Sequence, residues 1–230
     1  MRTRSRFLAV LPAAAMLSAV GVLATVPAAA APAREKGKPA AQVLSDAQRA
    51  FAAAHSVHIY GTTGSGTDRF SINAYYTGRA GSAGTLTERQ GNLQFVALGS
   101  EFYARGSLIH KANPNVPAAT WVRIPSTSAD LRDLTSLSAI ARDAFKPEGR
   151  VSPTVGTATV GTTPAVVLTD TKDHGKLYVA DNGQPLPLQV TNREGTVHFT
   201  GYNKTYHIHR PAHAITAPKA DRTGRPGDKS

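Results

Sequence analysis

The sequence has 230 residues, which is enough for one domain with a substantial hydrophobic core. The complete lack of cysteine excludes disulfides, thiolate metal ligands, a cysteine nucleophile and lipid attachment through an N-terminal cysteine. The formal net charge of +11 lies mostly at the chain ends, because residues 39–216 hold 16 basic and 12 acidic residues. A body this close to neutral, with no basic helix and no basic–aromatic motif, predicts a protein that does not bind nucleic acid.

Residues 1–33 have the composition of a signal peptide. Three arginines in the first six residues precede an apolar run over 7–26, and small residues then offer A-x-A sites for cleavage after Ala30 or Ala33. A retained membrane anchor is the alternative, because the apolar run is nearly long enough to span a bilayer. We expect a secreted, extracytoplasmic protein that is not anchored by lipid.

Three further segments follow the signal peptide in the predicted organisation. Residues 34–40 are a polar linker, and residues 41–215 form the single folded domain. The segment 216–230 is rich in proline, glycine and charge, which predicts a disordered basic tail.

Two helices are predicted, at about 40–55 and 129–145. In the first, Val43, Ala47 and Phe51 fall on one stripe at helical spacing. In the second, the inner stripe includes Leu137, Ile140 and Phe145, and a Pro-Glu-Gly sequence ends the helix. Helices of this length are marginal in isolation, so both stripes are expected to pack against a sheet.

From Ser56 onward the apolar residues recur with a period of two, which predicts strands. The alternation is clearest at Phe70, Ile72, Ala74 and Tyr76. Further short strands are predicted after this one, separated by glycine-rich or polar turns. The later of them carry Phe95, Ala97, Phe102, Ala104 and Val122. The segment 112–119 is predicted to be a proline-broken loop, and Trp121 is interpreted as a core residue whose indole N–H is hydrogen-bonded.

The segment 162–190 predicts an antiparallel meander with one apolar and one polar face. Its strands cover 164–169, 176–180 and 186–190, and Asp181-Asn182-Gly183 supplies residues that tolerate the positive φ of a tight hairpin. Two last strands are predicted within 196–209, around a turn at Asn203.

This segment also carries a family resemblance. The pattern P-A-V-x-L-T-D, then G-x-L-Y-V-A, then G-x-P-x-P-L, which begins at Pro164, resembles the secreted lipoprotein-type carriers of actinobacteria. These form the LppX/LprG-like group, related in fold to the LolA lipoprotein carriers. Many members carry a lipidated N-terminal cysteine, and this sequence departs from them in having none.

The resemblance implies an α+β fold, a curved antiparallel β-sheet (a LolA-like half-barrel) with α-helices packed on its concave face. It also implies an apolar cavity between sheet and helices. The residues expected to line that cavity and bind the ligand are Phe51, Phe70, Ile72, Phe95, Phe102, Leu137, Ile140 and Phe145. The small residues at inner positions (Ala74, Ala97, Ala104 and Ala141) fit open space and close packing equally well.

Catalysis and metal binding are the alternatives to a lipid-binding function. His207 and His209 lie two apart, so on a strand they would project from one face, and with His213 they could bind zinc or copper. The alternative, which we adopt, is a solvent-facing edge strand. The sequence contains no G-x-S-x-G, H-E-x-x-H or P-loop motif, and we predict no catalytic residue, no metal and no cofactor.

The sequence therefore predicts a secreted non-catalytic protein that binds or carries a lipid or other amphiphile. A membrane surface and another exported protein are further candidate partners. The alternative is an extracytoplasmic regulatory or protein-interaction module of the same fold, and a third reading is a hydrolase whose site lacks a known motif.

Overall fold

The computed structural model describes residues 34–78, 81–125, 137, 140 and 144–216, which belong to one compact unit. The predicted signal peptide, most of the second predicted helix and all but the first residue of the predicted tail lie outside these residues. None of the helices in the described part of the chain combines the length and apolar character needed to cross a membrane.

Twelve strands form one open, curved sheet. In chain order the strands are β1 Ser56–Thr63, β2 Phe70–Thr77, β3 Gly81–Glu88, β4 Gly91–Leu98, β5 Glu101–Arg105, β6 Val122–Pro125, β7 Gly156–Val160, β8 Thr163–Thr169, β9 Lys176–Ala180, β10 Pro187–Asn192, β11 Gly195–Thr200 and β12 Ile215–Thr216. Their order across the sheet is β12-β6-β5-β4-β3-β2-β1-β11-β10-β9-β8-β7, and every pair is antiparallel except the parallel pair β12–β6. The predicted meander over 162–190 is present as β8, β9 and β10, with Gly183 at φ 81° in the turn between the last two.

Helix α1, Ala40–Ala53, packs its predicted stripe into the core. Val43, Ala47 and Phe51 are buried, and the Phe51 ring makes edge-on contacts with Phe145 and Phe199, at centroid distances of 4.9 and 5.7 Å. Such edge-to-face pairs add to the stability gained from burial. This cluster joins α1, the C-terminal end of the second predicted helix, and β11.

The segment before α1 is bound to the domain. Arg34 forms an isolated β-bridge with Asn182, in the turn between β9 and β10. The Lys38 ammonium donates hydrogen bonds to Glu35 at 2.7 Å and to Asp46 on α1 at 2.8 Å. These contacts attach residues 34–38 both to the sheet and to α1.

Three sequence-based expectations are wrong. A short helix, α2 Ser107–Ala112, precedes the predicted loop and was not anticipated. Residues 201–214, including His207 and His209, form no strand and pair with none of the strands of the sheet. Trp121 is only half-buried and lies outside the core, with the Arg105 guanidinium 4.7 Å from its ring centroid. A cation over the exposed ring face explains why an indole is stable there.

Candidate ligand-binding cavity

A cavity of about 950 Å³ lies between the concave face of the sheet and residues 140 and 144–148. Its apolar wall contains Leu44, Ile59, Phe70, Ile72, Tyr76, Leu86, Leu93, Leu108, Ile140, Ala144, Phe145, Val151, Leu168, Leu177, Val190, Val197 and Phe199. The volume is at the upper end of the range usual for small-molecule sites. An apolar space of this size is suited to hydrocarbon.

The floor of the cavity is a single row of side chains that crosses eight neighbouring strands. Strand pairing places these residues side by side in the order Leu93, Leu86, Ile72, Gly61, Val197, Val190, Leu177 and Leu168. Every member except Gly61 lines the cavity. We call these eight residues the floor row. Its members come from β4, β3, β2, β1, β11, β10, β9 and β8, so the floor exists only when all these strands are in register.

Gly61 occupies the middle of the floor row, where the strands leave no room for a side chain. Its φ is 150°, and a Cβ added there would lie 2.1 Å from the Thr196 carbonyl oxygen. Glycine therefore permits close pairing of β1 and β11 at this point.

The eight predicted site residues divide into two groups. Phe70, Ile72, Ile140 and Phe145 line the cavity. The other four, Phe51, Phe95, Phe102 and Leu137, are buried in the packed core and do not line it.

The small inner residues are closely packed. Ala74, Ala97 and Ala104 are buried in the core cluster, and none of them lines the cavity. Of the two readings left open by the sequence, close packing is therefore correct for these three, while Ala141 lies outside the described residues.

The floor row was missed by sequence reasoning except at Ile72. Each member has the inward parity of its strand, as Phe70 and Ile72 do on β2, so alternation was the available signal. Alternation identifies the face of one strand, but the row also depends on register between strands.

The rim of the cavity is polar and carries charges of both signs. It includes the strand-end residues Thr63, Glu88, Thr169, Lys176 and Asn192, together with Lys146, Glu148, Asp170 and Asp173. Deeper in the wall, burial raises the pKa of Tyr76 far above its ordinary value, which keeps its phenol neutral. The site thus combines an uncharged interior with a mixed-charge opening.

Asp170 fixes one side of this rim. Its carboxylate accepts hydrogen bonds from the backbone N–H groups of Gly149, at 3.0 Å, and Lys172, at 2.6 Å. These bonds, that of Gly149 first, lower the pKa of Asp170 below its ordinary value. The charged carboxylate thereby attaches the segment after Phe145 to the turn between β8 and β9.

The histidines considered for metal binding remain apart from the cavity. The His207 and His209 rings are stacked with centroids 6.3 Å apart and are exposed, and neither residue lines the cavity. Within the described ranges, no group of three or more His, Asp or Glu side chains is placed to hold a metal ion.

Comparison with known proteins finds similarity in structure only. No protein-family model and no curated protein sequence matches the chain. The structure of LprF from Mycobacterium bovis is similar with a TM-score of 0.50 at 15% identity, covering 76% of this chain and 99% of LprF. The lipoprotein LppX from Mycobacterium tuberculosis gives a TM-score of 0.48 at 10% identity, covering 74% of this chain and 99% of LppX. A LolA superfamily protein from Nitrosomonas europaea gives 0.30 at 12% identity, covering 74% and 96%.

At these identities the similarity to LprF concerns the fold alone. The α+β fold predicted from the sequence, an open curved antiparallel sheet with helices in its concavity, is confirmed. The family resemblance is likewise confirmed at the level of structure, and the chain has the fold of LprF.

Proposed function

We propose that this protein binds or carries a lipid or other amphiphile, without catalysis, in the cavity between its sheet and its helices. The observation that carries the proposal is the cavity of about 950 Å³ over an aliphatic floor. A methylene group is similar in size to a water molecule, which takes up roughly 30 Å³ in the liquid, so the space suits one or two acyl chains.

The energetics of burial support a hydrocarbon ligand. Each methylene transferred from water to an apolar site gains about 0.8 kcal/mol, so a chain of about sixteen carbons gains on the order of 12 kcal/mol. Association itself costs roughly 4–15 kcal/mol, so a chain of that length can offset the cost while a much shorter one cannot. The proposed ligand is therefore a long-chain amphiphile.

The polarity of the wall suggests how the ligand is oriented. Its chain lies over the floor row and against Phe70, Ile140 and Phe145, all of which line the cavity. Its polar group lies at the rim, where Lys146, Lys176 and Glu88 offer charges of both signs. A buried polar group without partners would cost several kcal/mol, which favours this orientation over the reverse.

The alternative of a regulatory or protein-interaction module is less well supported. Such a module has no need of internal space and would be expected to fill its core with side chains. The open cavity therefore favours the carrier.

We further propose that the protein is exported and released after removal of residues 1–33. The arginine-rich start, apolar run and A-x-A sites support this. N-terminal sequencing of protein from culture supernatant should give a start near Ala31 or Arg34, and intact Met1 on membrane-bound protein would refute it.

The binding proposal is tested by filling the cavity. Purified protein is extracted with organic solvent for mass spectrometry, and the stripped protein is titrated with a fluorescent long-chain fatty acid. Val190→Trp places a large side chain in the floor row, whereas Thr191→Trp, on the next residue, faces the other side of the sheet. We expect Val190→Trp to weaken binding at least tenfold and Thr191→Trp to leave it unchanged. Wild-type protein that neither carries an amphiphile nor binds the probe would refute the proposal.

A further inference from the structure

The convex face of the sheet has a composition that the cavity does not explain. On β1, His58, Tyr60 and Thr62 alternate with the inward-facing Ile59 and Gly61. Four neighbouring strands carry uncharged residues at the matching outward positions: β2, β3, β11, and β10 from Gln189 onward. The residue types there are threonine, serine, asparagine, glutamine, tyrosine, histidine, alanine and glycine. We call the outward positions of these five adjacent strands the convex patch.

All outward positions of the convex patch are among the described residues, and none is Asp, Glu, Lys or Arg. Charged residues make up 18% of the whole sequence, so a few charges would be expected on a surface of this size. Charges return at outward-parity positions beyond the patch, at Arg105 on β5 and at Lys176, the first residue of β9, which also lies at the cavity rim. The five strands of the convex patch together span about 20 Å, from a strand spacing of about 4.8 Å.

A stack of aromatic rings crosses the convex patch. It runs His198, Tyr60, His58, Tyr75, Tyr206, with successive centroid distances of 4.9, 5.1, 4.3 and 4.7 Å. Tyr60 and Tyr75 are nevertheless 37% and 38% exposed. Because neighbouring rings cover the faces of Tyr60 and Tyr75, their edges remain for contact with a ligand, and these edges bear the phenol hydroxyls.

The polar side chains of the convex patch are uncharged groups that can both donate and accept hydrogen bonds. Hydroxyl, phenol, amide and neutral imidazole groups can both donate and accept, whereas ammonium and guanidinium groups only donate and carboxylates only accept. Some are already held in position: the Thr62 and Ser71 hydroxyls are 2.9 Å apart, and His58 Nε2 lies 2.8 Å from Asn73 Oδ1. Ordered side chains lose less entropy on binding.

This chemistry selects among classes of partner. Anionic lipid and nucleic acid require Lys or Arg. The centre of a protein interface is enriched in tyrosine, as this patch is, but it is mostly apolar, whereas most positions of the patch carry hydroxyl or amide side chains. A sugar hydroxyl, in contrast, both donates and accepts and carries no charge. We propose that the convex patch binds a neutral polysaccharide, independently of the ligand in the cavity.

The test uses residues 34–230 and electrophoresis through gels that contain a polysaccharide. The neutral probes are hydroxyethyl cellulose, laminarin, mannan and amylopectin, and the charged probes are alginate and heparin. We expect retardation by at least one neutral probe, unaffected by about 0.5 M salt, since salt screens only charge-dependent contacts.

Two variants address the patch. The double variant Tyr60→Phe/Tyr75→Phe keeps the rings stacked and removes two hydroxyls, and Thr62→Lys adds a charge that only donates. Each should weaken binding at least tenfold. The matched control Thr157→Lys, at an exposed position on β7, should bind as the wild type does. Fatty-acid binding should be the same in all four proteins, which separates this proposal from that for the cavity.

Several outcomes would overturn the proposal. One is a wild-type protein that no neutral probe retards, or that only alginate or heparin retards. Another is unchanged binding in the patch variants. A third is a dimer in analytical ultracentrifugation that Thr62→Lys dissociates, because the convex patch would then be an interface between two copies of this chain.

Discussion

Two residues of one helical segment, Leu137 and Ile140, differ in their surroundings and allow a paired test of the cavity wall. Both are helical, and they lie three positions apart. Leu137 is 7% exposed and belongs to the packed core, whereas Ile140 is partly buried and lines the cavity. A carboxylate introduced at each position would therefore meet a different environment.

The expected magnitudes follow from these environments. Leu137→Glu removes about 2–3 kcal/mol of apolar burial and leaves a charge without a partner, at a further cost of several kcal/mol. Against a total stability of roughly 5–15 kcal/mol, this either unfolds the protein or lowers Tm by more than about 10 °C. Ile140→Glu can be hydrated from the cavity, so we expect a loss of about 1–2 kcal/mol in the free energy of unfolding.

For ligand binding, in contrast to stability, we expect Ile140→Glu to have the larger effect of the two. A carboxylate at position 140 would displace a few methylenes of the chain, each contributing about 0.8 kcal/mol. Losing three or four of these contacts is worth about 2.4–3.2 kcal/mol, which weakens binding by roughly 50- to 200-fold.

Thermal unfolding followed by circular dichroism and titration with a fluorescent fatty acid measure the two effects. Ile140→Gln serves as the uncharged control and should weaken binding less than Ile140→Glu does. A folded Leu137→Glu that loses the ligand, together with an Ile140→Glu that unfolds, would reverse the assignment of wall and core and refute the reasoning.

Four further predictions concern stability. Phe51→Ala should lower the free energy of unfolding by about 3–5 kcal/mol in urea titrations, since the ring is fully buried among other aromatic rings. Gly61→Ala should lower the free energy of unfolding by more than Gly99→Ala does. A Cβ at Gly61 would meet the Thr196 carbonyl oxygen at 2.1 Å, whereas one at Gly99 would meet nothing within 4 Å. Equal losses of unfolding free energy in urea titrations would contradict this. A lowered pKa for Asp170 means that its carboxylate stabilises the fold above the ordinary aspartate range, and that this contribution is lost as the pH falls through the lowered value. Asp170→Asn should therefore be less stable than wild type at neutral pH, and urea titrations should show this difference shrinking as the pH falls below the ordinary aspartate range. Deletion of residues 217–230, which contain few apolar residues, should change Tm by less than about 4 °C.

Local sequence patterns predicted most of the sheet, because each depends on neighbours within one strand or turn. The alternation at Phe70, Ile72, Ala74 and Tyr76 matches β2, and the meander strands appear within a few residues of their expected bounds. The failures came where local pattern and tertiary context disagree. His207 and His209 have the spacing of a strand, but no neighbouring strand pairs with that segment.

The cavity was less predictable because a strand's alternation gives its inner face but not what fills the space above it. Phe95 and Ile72 both point inward, yet the former packs within the core while the latter lines the cavity. Phe95 pairs across the strands with Ala104 and lies 6.1 Å from the Phe102 ring, whereas Ile72 neighbours Leu86 in the floor row. The difference arises from the register between strands and from the position of the helices, and the sequence of a single strand determines neither.

The same register determines both faces of β1. A slip of one residue against β11 would move Ile59 to the convex side and place Tyr60 over the cavity floor. Two features oppose such a slip from opposite sides of the sheet. Close pairing at the Thr196 carbonyl leaves room only for Gly61, and on the convex side Tyr60 stacks on His198, its direct partner across the strands. Because cross-strand contacts of this kind stabilise pairing, the ring stack also preserves the shape of the cavity beneath it.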